Sequence, residues 1–106
     1  MESGNVAAIL FAQARARSRV EWERGLDAIW PEVLRELRSN PGFKGLLALW
    51  KEDDSGQVSI IGLWDTMEHR LAYERRSADS VRARFNALFQ AVPDRPRFYV
   101  SRATLA

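Results

Sequence analysis

Two runs of strand length, Phe43-Lys44-Gly45-Leu46-Leu47-Ala48-Leu49-Trp50 and Val58-Ser59-Ile60-Ile61-Gly62-Leu63-Trp64, flank the charged segment Glu52-Asp53-Asp54-Ser55-Gly56. That pattern predicts a β-hairpin. Both strands are apolar on both faces. In the second, Val58, Ile60, Gly62 and Trp64 point one way and Ile61 and Leu63 the other, because side chains alternate along a strand. A sheet that is greasy on both sides needs two covers. A chain of 106 residues supplies one core and one layer of helices, so the second cover is expected from another molecule or from a ligand.

The rest of the chain arranges itself around that hairpin. Val6 to Ala14 reads as a first strand, again apolar on both faces. Ser18-Arg19-Val20-Glu21 matches a capping box, with Ser18 as N-cap and Glu21 reaching back. Behind it Trp22, Leu26, Ile29, Trp30, Val33, Leu34 and Leu37 recur at helical spacing. Pro31 removes the bond to the carbonyl of Asp27, which predicts a kink or restart near Trp30. Ser39-Asn40-Pro41-Gly42 stops the helix. After the hairpin, Asp65 or Thr66 is expected to cap a second helix whose apolar side is Met67, Leu71 and Tyr73. Past Ser77-Ala78-Asp79 a further helix carries Val81, Phe85, Leu88 and Phe89 inward. Val92-Pro93-Asp94-Arg95-Pro96 ends it, and Arg97 to Arg102 reads as a last strand. The order βαββαβ implies an α+β, ferredoxin-like domain spanning residues 1–106, with one four-stranded antiparallel sheet.

Composition narrows the function classes. There is no cysteine, which excludes disulfides and thiol-based metal or redox chemistry. No apolar run approaches the ~18 residues of a membrane helix. Met1-Glu2-Ser3-Gly4-Asn5 lacks the form of a secretion signal, so a cytoplasmic protein is expected, with no membrane partner. Fourteen of the sixteen basic residues are Arg, and Arg grips phosphates well. They are dispersed and interleaved with acids such as Glu21, Glu32, Glu36, Glu68 and Glu74, the pattern of a solvated helix surface and not of a nucleic-acid groove.

For chemistry, His69 is the only histidine, one turn into a helix beside Glu68. It has no nucleophile motif nearby, and with Asp65 and Glu68 it makes a poor metal set, so no metal or cofactor is expected. The Glu52-Asp53-Asp54 run reads as a solvated turn, because a Ca²⁺ loop needs more oxygen ligands at defined spacing. The aromatics are the stronger lead. Trp22, Trp30, Trp50 and Trp64 accompany Tyr73, Phe85, Phe89, Phe98 and Tyr99. Gly62 leaves a hole on the face shared with Trp64 where a ligand or a helix can approach. An aromatic-walled pocket tipped by Trp64, Tyr73, His69 and Arg84 is one reading; aromatics that merely fill the core and an interface are the other.

With that order in place, Pro41-Gly42-Phe43, Trp64-Asp65, Glu68, Tyr73 and Ser77 resemble the antibiotic biosynthesis monooxygenase (ABM) domain family of the dimeric α+β barrel superfamily. The resemblance runs from about Val6 to Thr104, and its motifs are loose. It implies a homodimer in which two sheets face each other, supplying the missing cover, and a pocket between each sheet and its helices. It also implies a cofactor-independent monooxygenase acting on a small aromatic or quinone-like substrate. Trp64 matches that enzyme's pocket Trp and Arg84 falls at the spacing of its Arg, while its Asn position is Ile60 and its Tyr position is Arg70. On this resemblance Trp64 walls the pocket, Arg84 and Tyr73 stabilise phenolate charge, and His69 is an acid–base candidate. The haem-degrading branch also matches at Trp64, but its strand-one Asn meets Gln13 or Ala14 and its His ligand falls near Arg84. A non-catalytic dimer that binds or senses a small apolar ligand is the rival from outside enzymology.

Overall fold

The computed structural model describes residues 5–91, 93 and 96–101. The elements run β1 (Asn5–Gln13), α1 (Arg19–Arg38), β2 (Phe43–Trp50), β3 (Gln57–Trp64), α2 (Met67–Arg76), α3 (Ala78–Asn86) and β4 (Arg97–Ser101). The strands form one antiparallel sheet in the order β2-β3-β1-β4. This is the expected ferredoxin-like α+β arrangement, with the second helical region divided at Ser77. Met1 to Gly4, Val92, Asp94, Arg95, Arg102 and Thr104, on which some sequence expectations fall, lie outside the described residues.

Capping residues set the helix starts. The Ser18 hydroxyl accepts from the amide of Glu21, and Glu21 reaches one residue further back than expected, to the amide of Arg17 at 3.1 Å. Thr66, not Asp65, caps α2 by accepting from the amide of His69. The restart expected at Pro31 is absent: α1 runs through it as one helix. Asp27, whose carbonyl loses its partner, lies in an exposed part of α1, where water can replace the missing bond. Gly42 follows α1 with φ of +84°, a conformation costly for any residue with a side chain. A Cβ there would also run into Asp65 and His69.

All helices lie on one sheet face. That face presents Val6, Ala8 and Leu10 of β1 opposite Trp64, Gly62 and Ile60 of β3, with Leu46 and Ala48 of β2 beyond. Trp22, Leu26, Val33 and Leu37 of α1 and Val81 and Phe85 of α3 close over it. Trp22 meets Trp50 and Phe89 with ring centroids 6.4 and 6.3 Å apart, tying α1 to the hairpin. Phe89 lies beyond the end of α3, where its backbone bridges to Ala14, so it reaches the core from a turn and not from the helix expected to carry it. The opposite face carries Ala7, Ile9, Phe11, Leu47, Leu49, Ile61, Leu63 and Tyr99 and, among the described residues, no helix. Phe11 is 65% exposed and Tyr99 52%. No helix among the described residues is long and apolar enough to cross a membrane.

Candidate functional site

A cavity of about 380 Å³ opens between the sheet and the helices α2 and α3. Its floor is Ala8, Leu10, Leu46, Ile60 and Gly62. Trp64 and Tyr73 form one wall, Val81, Phe85 and Phe89 another, and Pro93 and Pro96 stand at the rim. Polar groups are few: Arg70, Tyr73, Asp79, Arg82 and Asn86. An apolar recess with a handful of convergent polar tips is the usual form of a small-molecule site.

Trp64 ends β3 on the helix-facing side and is wholly buried. Its ring packs against Tyr73 (4.9 Å between centroids) and edge-on to Phe43 (5.4 Å). The indole Nε1–H is buried and has no hydrogen-bond partner among the described residues. It sits 3.2 Å from where a Cβ on Gly62 would be, so only glycine leaves the floor open beneath it. An orphaned donor in a buried place costs free energy unless something accepts from it. Burial pushes the Tyr73 phenol up to about 12, so near neutral pH Tyr73 is a protonated group able to donate.

Arg70 is the residue that sequence reasoning misses. Its charge places it among the dispersed surface arginines, yet it is only 6% exposed. Its guanidinium lies 4.8 Å from the Tyr73 ring, 5.6 Å from Phe98 and 5.7 Å from Trp64, a geometry that favours a cation held against π faces. Nε and Nη2 both donate to Glu74 Oε1 (3.0 and 2.5 Å), and Arg82 Nη2 donates to the other oxygen at 2.7 Å. For Glu74, burial raises the carboxyl pKa, but the charges and hydrogen bonds of Arg70 and Arg82 outweigh it and hold the group below its usual range. The sequence does hold a signal: Met67, Arg70 and Tyr73 follow one another at steps of three, so the inward stripe of α2 passes through Arg70. Leu71, expected on that stripe, is 43% exposed instead.

Two expected site residues lie elsewhere. Arg84 sits on the α1-facing side of α3, its Nε 4.0 Å from Glu36 Oε2, and does not line the cavity. Arg82, two residues earlier, takes the cavity side because it follows Ala78 by one turn and precedes Phe85 by three residues. His69 is likewise outside the lining. Its Nδ1 is 2.7 Å from Asp65 Oδ1, beneath the Gly42 turn, and that hydrogen bond holds the Asp65 carboxyl below its ordinary range. The Asp65 backbone amide donates to the Gly42 carbonyl at 2.9 Å, fastening the start of α2 to the turn before β2, with the dyad packed against that glycine. Among the described residues no three His, Asp or Glu side chains gather as a metal site. A haem held by a helix histidine would need that ligand on the cavity wall, and His69, the only histidine of the chain, lies outside the lining, so these residues do not supply it.

No protein-family model matches the chain, and no curated protein matches it in sequence. Solved structures do. The chain superposes on SnoaB, a cofactor-independent oxygenase from Streptomyces nogalater, with a TM-score of 0.68 and 14% identity, covering 97% of this chain and 98% of that one. A protein from Nitrosomonas europaea assigned to the antibiotic biosynthesis monooxygenases gives 0.66 at 14% identity, covering 96% and 94%. A conserved protein from Methanosarcina mazei gives 0.68 at 7% identity, covering 94% and 95%. An equal score with no activity attached shows that the likeness is one of fold. The chain therefore has the fold of the ABM-type proteins, with a cavity on the helix-covered side of its sheet.

Proposed function

We propose that this protein is an ABM-type monooxygenase, working as a homodimer, that oxidises a small phenolic aromatic to a quinone without metal or flavin. The observation that carries this is the buried Trp64 Nε1–H without a partner, set over Gly62 at the floor of an aromatic-walled cavity. A flat ring would stack between Trp64 and the Phe85–Phe89 wall, and its oxygen would accept from the indole. The fold shared with a cofactor-independent oxygenase supports the reading. The reaction balances without another reductant. A phenol such as 1-naphthol loses its proton, the electron-rich ring carbon para to the oxygen takes one atom of O₂, and the other atom leaves as water with the 1,4-quinone formed. Donors aimed at the ring oxygen favour the phenolate from which electrons depart. In this reading Tyr73 and Trp64 touch substrate, and Arg84 and His69 do not.

The dimer rests on the open sheet face. Its centre, Ala7, Ile9, Phe11, Leu47, Leu49, Ile61 and Leu63, is apolar, and burying such area gains about 25 cal/mol per Å². A second copy of the same face is a cover of matching chemistry. The alternative, a dimer that binds or senses an apolar ligand, draws on Ile60, which puts an aliphatic side chain where the oxygenases are expected to carry an amide.

An oxygen electrode separates the two. With 1-naphthol or 1,5-dihydroxynaphthalene, O₂ uptake matched one-to-one by quinone is expected, and Trp64→Phe should lower kcat/KM by about tenfold or more. Saturable binding with no O₂ uptake across a panel of such phenols would leave the binding protein standing and the oxygenase refuted.

A further inference from the structure

We infer that the recess above Gly62 is an anion subsite, so that the aromatic ligand of this cavity carries a negatively charged oxygen and is selected by Arg70. The inference rests on the cavity being an aromatic-ligand site and adds the charge of the ligand.

Three observations converge. First, the charge around Glu74 does not cancel. One carboxylate is shared by two guanidiniums, Arg70 on Oε1 and Arg82 on Oε2. Asp79, 3.8 Å from Arg82 Nη1, has a fully exposed side chain, and water screens such a pair. A surplus positive charge is thus held at the cavity wall, and its Arg70 end, 6% exposed, acts more strongly than a charge in water. Second, the Arg70 guanidinium is turned so that Nε and Nη2 meet Glu74 while Nη1 faces Gly62, 3.6 Å from the place of an added Cβ. No hydrogen bond to Nη1 is formed among the described residues. Third, the orphaned Trp64 Nε1–H borders the same point at 3.2 Å. Two N–H donors, one of them cationic, therefore border the open space over Gly62, and a single anionic oxygen seated above that glycine accepts from both. Rings stacked around Arg70 fix the guanidinium, so little ordering is needed on binding.

That oxygen can belong to a carboxylate on the ring or to a phenolate formed as the ligand binds. Calorimetry on the intact protein tells them apart. 2-Naphthoate is expected to bind at least about tenfold tighter than 2-naphthamide, which has nearly the same shape and no charge. 1-Naphthol, if taken as its phenolate, should release a proton on binding, seen as a heat that changes with the ionisation enthalpy of the buffer. Either result supports the subsite and names its source. Arg70→Gln should bring naphthoate and naphthamide to within about twofold of each other and end the proton release. Gly62→Ala, which fills the recess and leaves the charges in place, should weaken naphthoate about tenfold and naphthamide much less. It serves even where Arg70→Gln fails to fold. Equal binding of naphthoate and naphthamide together with no proton release from naphthol would overturn the subsite while leaving the aromatic pocket intact. Failure of all three ligands to bind would overturn both.

Discussion

The two faces of the sheet use similar residues to opposite ends. On the covered face, Val6, Ala8, Ile60 and Trp64 are buried beneath helices, and a polar cluster of Arg70, Glu74 and Arg82 is built into the lid. On the open face, Phe11, Leu47, Leu49 and Tyr99 stand exposed, and no charged side chain interrupts them along β1 or β3. The covered face uses its one irregularity, glycine at 62, to make room. The open face has no comparable gap along β1 and β3. The difference teaches that the strands carry two separable messages, one per parity: even-numbered positions of β1 and β3 face the helices and the cavity, and odd-numbered positions form an open, mostly apolar face.

The largest effect that tests this division is on stability. Trp22→Ala opens a void under the covered face and should cost about 3–5 kcal/mol. The loss should be the same at every protein concentration. Phe11→Ala, on the open face, should cost less, and its cost should grow or shrink with concentration because it acts through association. Urea unfolding followed at two concentrations a hundredfold apart checks both. Leu47→Asp sharpens the contrast, raising the dimer dissociation constant at least about a hundredfold by burying an unpaired carboxylate. Unfolding of the unaltered protein that ignores concentration would erase the distinction.

A smaller effect lies in the lid. The Glu74 carboxyl is held below its ordinary value of 4.5. A depressed folded-state pKa contributes stability that is present above the unfolded value and lost as pH falls through the folded one. Below about pH 4.5 the protein should therefore lose stability that a Glu74→Gln variant does not, the remainder of the acid loss being common to both. At the other end, the raised Tyr73 phenol, about 12 against an ordinary 10.0, contributes stability present below pH 10 and lost as pH rises through that window. Tyr73→Phe should flatten the alkaline limb of the same pH–stability curve.

The smallest effect on binding is a near-silent one. Arg84→Ala should change phenol binding less than twofold, because Arg84 lies outside the cavity lining, and its effect should fall on stability, since the buried Glu36 Oε2 4.0 Å from its Nε loses its facing cation. A tenfold loss of binding on Arg84→Ala would move the site from the sheet side of α3 to its α1 side.

Much of this architecture is legible in the order of the amino acids. The period-two pattern of Val58 to Trp64 sorts the faces correctly, because a strand has only two sides and Gly62 marks which one has space. Ser18 and Thr66 announce their helices, since a hydroxyl before an amphipathic run has few other uses. Arg70 and Arg84 are not legible in the same way. A charged residue on a short helix reads as solvated unless its register is checked, and α2 is short enough that Leu71 looks as good an anchor as Arg70. What decides between them is the position of Phe98 on β4, a contact 28 residues away in sequence that brings a third aromatic face to the guanidinium. The division of the second helical region at Ser77 is legible, by contrast, since Ser77-Ala78-Asp79 separates the Met67–Tyr73 stretch from the Val81–Phe85 stripe.

The central claim, that one face binds an aromatic ligand and the other holds a second copy, is tested most directly by sedimentation velocity with detection in the absorption band of 1,4-naphthoquinone. For the unaltered protein the ligand signal should sediment with a particle of twice 12.1 kDa. For Trp64→Phe the same particle should sediment with most of the ligand left behind. A Trp64→Phe protein that sediments as a 12.1 kDa monomer still carrying its ligand would contradict the account, placing Trp64 in the interface and the ligand elsewhere.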